Sequence, residues 1–172
     1  MTGDTGPGRD TSGQLENDRG AGAGRSKPPG ALGDDLGNMA GRPLLLADAL
    51  GTVTLVMVTV LGSLWDDDTA RLVNLVASGV LFVGGSLAFT VGFVVAAARS
   101  RRDFIHLAGL FYLTGAASSP IRRAFLGLWY LQIATATASV FTIDPPFGVM
   151  APVWGIGIIT WWAAAHGRFA AR

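Results

Sequence analysis

Two polar side chains interrupt long apolar stretches of this chain, Asp48 and Gln132. An ionisable group inside a membrane is costly, so Asp48 is a functional candidate by default. The chemistry open to it is binding of a proton or cation, as in small multidrug transporters that use a carboxylate on their first helix. The competing reading comes from its depth. Asp48 lies only about 6 Å of helix rise beyond Leu44, near one interface. An aspartate there pairs with an arginine such as Arg99 or Arg123, or is hydrated among the headgroups, and the position favours this second reading. Gln132 sits near the centre of its stretch, where no water is available and its amide must find protein partners. Interhelical bonding, worth about 0.6–2 kcal/mol, is preferred for it over a ligand contact. Thr135 and Thr137 are expected to bond carbonyls of their own helix.

Other chemistries find little support. His106 and His166 are the only histidines and there is no cysteine, which excludes disulfides, thiol chemistry and cysteine metal sites. Asp66, Asp67 and Asp68 are expected to cap a helix rather than hold a cation, because negative charge favours a helix N-terminus. Metalloprotease, nucleophile-elbow, phosphate-loop and dinucleotide motifs are absent. No catalytic residue, metal ligand or cofactor is therefore expected, and the chain is read as a non-enzyme. A net charge of +1 argues against a nucleic-acid partner.

The elements that must position Asp48 and Gln132 follow from hydropathy. Residues 1–42 are rich in Gly, Asp, Ser and Pro and hold too little apolar surface to offset chain entropy. They are expected to form a disordered cytoplasmic tail with no signal peptide, leaving the first apolar helix to direct insertion. Residues 43–172 are expected to form an all-α membrane protein, a four-helix transmembrane bundle with spans at 44–64, 72–98, 124–142 and 147–165. Each is long enough to cross about 30 Å of hydrocarbon. The second exceeds a straight crossing and should tilt or protrude. The apolar stretch 103–114 reaches only about 18 Å, too short to span, and arginines flank it. It is expected to be a short cytoplasmic interfacial helix between spans two and three. Pro43 suits a first helical turn, and Asp144 with Pro145 should cap the fourth span.

Basic residues fix the expected orientation. Arg99, Arg101, Arg102, Arg122 and Arg123 lie between spans two and three, and further basic residues precede span one and follow span four. An even number of spans puts all of these on one side, leaving only Arg71 on the other. The positive-inside rule then places both termini in the cytoplasm of a cell with this protein in its inner (plasma) membrane. Abundant Ala, Gly and Arg hint at a high-GC bacterial source.

Small residues supply the packing. Gly84, Ala88, Gly92 and Ala96 recur every fourth position of span two, a face that lets another backbone approach. Ala134 with Ala138, and Ala151 with Gly155, repeat the pattern in spans three and four. Pro152, among Gly148, Gly155 and Gly157, should weaken or kink span four. No internal repeat accompanies it.

Residues 99–140 carry a basic loop with Asp103, a short apolar segment, S-P-x-R-R at 119–123 and A-T-A-S-V at 136–140. G-x-G at 155–157 and A-x-H-G at 164–167 follow. In these motifs the chain resembles a family of small four-helix actinobacterial membrane proteins. The resemblance implies the four-span architecture and carries no activity.

The expected role is that of a non-enzymatic interaction or accessory subunit in the lipid bilayer, with a membrane-protein partner or a second copy of itself. Arg99, Arg101, Arg102, Arg122 and Arg123 are suited to anionic lipid headgroups. The alternative is a small oligomeric transporter or channel that uses Asp48 and Gln132.

Overall fold

The computed structural model describes residues 41–65, 67–143 and 147–171. The N-terminal tail through residue 40, Asp66 and the expected cap at Asp144 and Pro145 lie outside the described residues. Within them the chain is helical: α1 (Arg42–Leu64), α2 (Asp68–Arg99), a short α3 (Leu107–Tyr112), α4 (Ser119–Thr142), a 3-10 turn (Phe147–Met150) and α5 (Val153–His166). The only β-structure there is one isolated antiparallel bridge, between Asp103 and Ala171. Among the described residues four helices are long and apolar enough to cross a membrane: α1, α2, α4, and the unit Gly148–His166 formed by α5 with the turn before it. They suggest a multi-pass membrane protein.

Local chemistry explains the boundaries. Pro43 stands in the first turn of α1 and Pro120 in the first turn of α4, where a missing N–H leaves no bond unmade. Asp67 is the N-cap of α2, its Oδ1 accepting the Ala70 amide at 2.6 Å. Pro152 precedes α5 as its N-cap, so the fourth span is broken at its start into a 3-10 turn and an α-helix. The expected kink is thus a helix start, because proline has no N–H for the preceding turn.

Polarity is turned inside out relative to a water-soluble bundle. Leu46, Leu50, Val53, Leu72, Val80, Leu87 and Phe141 are exposed, while Asp48, Thr52, Asn74, Ser78, Gln132, Ser139 and Thr160 are buried. A hydrocarbon solvent favours this arrangement, since polar groups must find partners inside. The fourth span is the most enclosed, 56% buried against 33% or less for the other three, and is the central element.

The tightest seam joins α2 to α5. Leu81, Gly85, Ala88, Gly92 and Ala96 form the buried face of α2. A methyl group at Gly85 would stand 2.5 Å from Trp154 Cα, and one at Gly92 would stand 2.6 Å from the Trp161 nitrogen. The two backbones therefore touch directly. Gly84 sits one step off this seam, against the Trp154 ring. Ala134 and Ala138 differ from expectation and face outward, because the inner face of α4 is Phe125, Gln132, Ala136 and Ser139.

The stretch 103–114 also differs. Only Leu107–Tyr112 is helical. Residues before it are extended and pair with the C-terminal tail, the Phe104 amide donating to the Ala170 carbonyl at 2.8 Å. Leu110 and Leu113 enter the core, while Leu107 is 69% exposed. Leu113 ends the helix in the left-handed conformation, φ 55°, with its side chain fully buried. That burial offsets a backbone geometry leucine rarely adopts.

Arg99 holds this end of the molecule together. Its guanidinium donates to Asp103 Oδ2 at 2.8 Å, to the Ala164 carbonyl at 2.7 Å and to the Gly167 carbonyl at 3.3 Å. It thereby satisfies carbonyls at the end of α5 that have no partner within the helix. Replacing Arg99 by Gln is expected to loosen the tail, measured as faster hydrogen exchange at the Phe104 amide. Lysine should not restore protection, because one ammonium cannot reproduce the planar fork. Unchanged exchange in both variants would contradict this role.

Candidate functional site

Asp48 and Gln132, far apart in sequence, meet in the interior. Gln132 Nε2 donates to Asp48 Oδ1 at 3.0 Å and to Thr52 Oγ1 at 2.7 Å. Thr52 Oγ1 in turn donates to the Asp48 carbonyl at 2.8 Å, one helical turn back. The Gln132 amide oxygen accepts the Gly155 amide at 3.1 Å. One side chain thus ties α4 to α1 and α5.

The reason lies in where α5 starts. Gly155 belongs to its first turn, where backbone N–H groups lack partners inside the helix. The break at Pro152 puts that turn inside the bundle, and Gln132 caps it from a neighbouring helix. Gly155 is constrained to be small, since a methyl group there would stand 2.7 Å from Gln132 Oε1. Trp154 closes the side, its indole N–H donating to the Ala47 carbonyl at 3.2 Å while the ring lies on Gly51. A side chain at position 51 would collide with that ring, so Gly51 permits the approach.

The site is sealed. Asp48 is 0% exposed, and Thr52 and Gln132 are each 1% exposed. Asp48 is therefore not hydrated at an interface, and it does not pair with Arg99 or Arg123. Arg99 is engaged by Asp103, and the Arg123 side chain is exposed, with Nε donating to the Ser119 carbonyl at 3.3 Å. The shallow position along α1 misleads because α4 and α5 cover that turn. Among the described residues Asp48 Oδ2 is left buried with no hydrogen-bond partner.

A second polar cluster escaped the sequence reading. Asn74 is 0% exposed; its amide donates to the Val58 carbonyl at 3.3 Å, and its oxygen accepts from Ser78 Oγ at 3.5 Å. The signal was available, because Asn74 is an amide within an apolar stretch just as Gln132 is. Thr137 bonds the Ile133 carbonyl of its own helix at 2.8 Å.

The remaining candidates are dispersed. His106 meets Phe169 edge-on, and His166 stacks on Trp162. Among the described residues no group of three or more His, Cys, Asp or Glu side chains could hold a metal ion. Arg101, Arg102, Arg122 and Arg123 are exposed near the helix ends, whereas Arg99 is committed to protein contacts.

No family model, curated protein or solved structure matches the chain.

Proposed function

We propose that this chain is a multi-pass protein of the plasma membrane that acts as a non-enzymatic interaction or accessory subunit, with both termini in the cytoplasm. The observation that carries this reading is the closed interior. The polar groups of α1, α4 and α5 bond one another, and the α2–α5 seam brings backbones into contact, which fills the interior among the described residues. What is left for function is the outside: apolar helix faces for a membrane-protein partner or a second copy, and a basic end. Arg101, Arg102, Arg122 and Arg123 are available there for anionic headgroups, and α3 presents Leu107 toward the same interface.

Purification of the tagged protein from its native membranes in mild detergent tests the role. A reproducible stoichiometric membrane partner is expected. Recovery in monomeric form, with no partner and no self-association, would contradict it.

Orientation is testable without removing any native thiol, since the chain has no cysteine. Cysteine placed at Thr69 in intact cells should react with a membrane-impermeant maleimide. Cysteine placed at Ser119 should react only after permeabilisation. The opposite pattern would reverse the topology.

A second reading, a small oligomeric transporter or channel using Asp48 and Gln132, is favoured by the unpartnered Asp48 Oδ2. It predicts that Asp48→Asn abolishes proton-coupled flux in vesicles. Flux identical to wild type would remove Asp48 from any coupling role.

A further inference from the structure

We infer that Asp48 Oδ2 holds one proton, and that lipid-soluble reagents reach this carboxylic acid through the groove between α1 and α2. This deepens the second reading above by naming the ion, and it rests on Asp48 being the working group there.

The Asp48 carboxyl has unused bonding capacity. Asp48 Oδ1 is satisfied by Gln132, while Oδ2 is buried and unpartnered. A metal ion would need several oxygens, typically about six for Mg²⁺ or Ca²⁺. The oxygens nearby are already used. Thr52 Oγ1 donates to the Asp48 carbonyl and accepts from Gln132, and Gln132 Oε1 accepts from Gly155. One free ligand atom suits a proton and not a cation shell. An isolated carboxylate in an apolar interior is too costly to stand without a proton or a counter-charge.

Among the described residues no counter-charge faces it. On the helices around Asp48, the other charged or titratable groups stand elsewhere. Arg42 begins α1, about 9 Å of helix rise away. Asp68, Arg71 and Arg99 lie at the ends of α2. Arg122 and Arg123 lie in the first turn of α4, Tyr130 is exposed, and His166 closes α5.

The route is the outer groove. A cavity of about 350 Å³ opens between α1 and α2, bordered by Ala47, Gly51, Thr54, Ala77, Leu81 and Trp154. Its inner wall is the Trp154 indole, hydrogen-bonded to the carbonyl of Ala47, the residue next to Asp48. The groove is wide because Ala47, Gly51 and Ala77 are small. In this proposal the Trp154 indole, packed on Gly51 and Gly84, is the element that moves to bring the groove to Asp48.

The test uses the full chain in phosphatidylcholine vesicles. Infrared difference spectra between wild type and Asp48→Asn are expected to contain a carboxylic-acid C=O stretch that shifts in D₂O. The lipophilic reagent dicyclohexylcarbodiimide, which adds to protonated carboxyls, is expected to modify Asp48 of the wild type. Ala77→Phe, which fills the groove from the lipid-facing side, should slow that modification several-fold. A carboxylate stretch in place of the acid band at neutral pH would overturn the proton site and leave the membrane topology standing. Modification of Asp48 by a water-soluble carbodiimide at the same rate would overturn the lipid-side route and leave the membrane topology standing. Modification unaffected by Ala77→Phe would overturn the route.

Discussion

Gly157→Ala is expected to destabilise the protein by about 3 kcal/mol, the upper end of what overpacking one methyl group costs. The added Cβ would collide with the Gly85 carbonyl of α2. That obstacle is backbone, which cannot rotate out of the way as a side chain can. Alanine also improves helix propensity by up to about 1 kcal/mol, which is too little to change the sign. Gly79→Ala and Gly127→Ala isolate that smaller term, because nothing lies within 4 Å of a methyl group at either position. Both are expected to be neutral or slightly stabilising. Unfolding in mixed micelles, followed by tryptophan fluorescence, measures all three. Equal stability of Gly157→Ala and wild type would mean that α2 and α5 do not meet backbone to backbone.

Gln132→Leu is expected to cost about 2–4 kcal/mol. It removes the partner of Asp48 Oδ1, of Thr52 Oγ1 and of the Gly155 amide together. A buried polar group left without a partner typically costs about 1–3 kcal/mol in water-soluble proteins. Interhelical bonds in membranes average nearer 0.6 kcal/mol, because the separated helices find other partners. Three simultaneous losses put the sum between these limits. A double-mutant cycle with Asp48→Asn should return a coupling of about 1–2 kcal/mol, since the two side chains bond directly. Additive effects would show that Asp48 and Gln132 do not share one network. Both variants should also lower the cooperativity of unfolding, because Gln132 joins three helices.

The site was half legible in the sequence. Asp48 and Gln132 stood out because each interrupts an apolar run, and that criterion needs no tertiary information. Applied evenly, it would have found Asn74 as well. Their partnership was not legible, since 84 positions separate them and nothing in their spacing marks a pair. The shallow place of Asp48 along α1 misleads for a related reason: depth along one helix is not burial, which α4 and α5 set by packing over that turn. Arg99 shows the same limit: as one of a run of arginines it looked like a headgroup ligand, and only the fold brings Asp103 and the α5 carbonyls to it.

Packing followed a similar division. A spacing of four in α2 locates a small-residue face, but Gly84 and Gly85 are adjacent and the partner helix selects Gly85 for the seam. In α4 the same pattern at Ala134 and Ala138 points outward, because Gln132, Ala136 and Ser139 already form the inner face.

The sequence by itself determined the four long apolar helices and their approximate limits. Hydropathy and length are local properties, and proline and aspartate set helix starts through their own backbone chemistry. The tertiary structure decided what the polar residues do. A buried amide or carboxyl has many possible partners along the chain, and only the crossing of helices selects among them. The broken start of α5 made that selection here, by delivering an unpaired backbone N–H to Gln132 and leaving one oxygen of Asp48 without a partner.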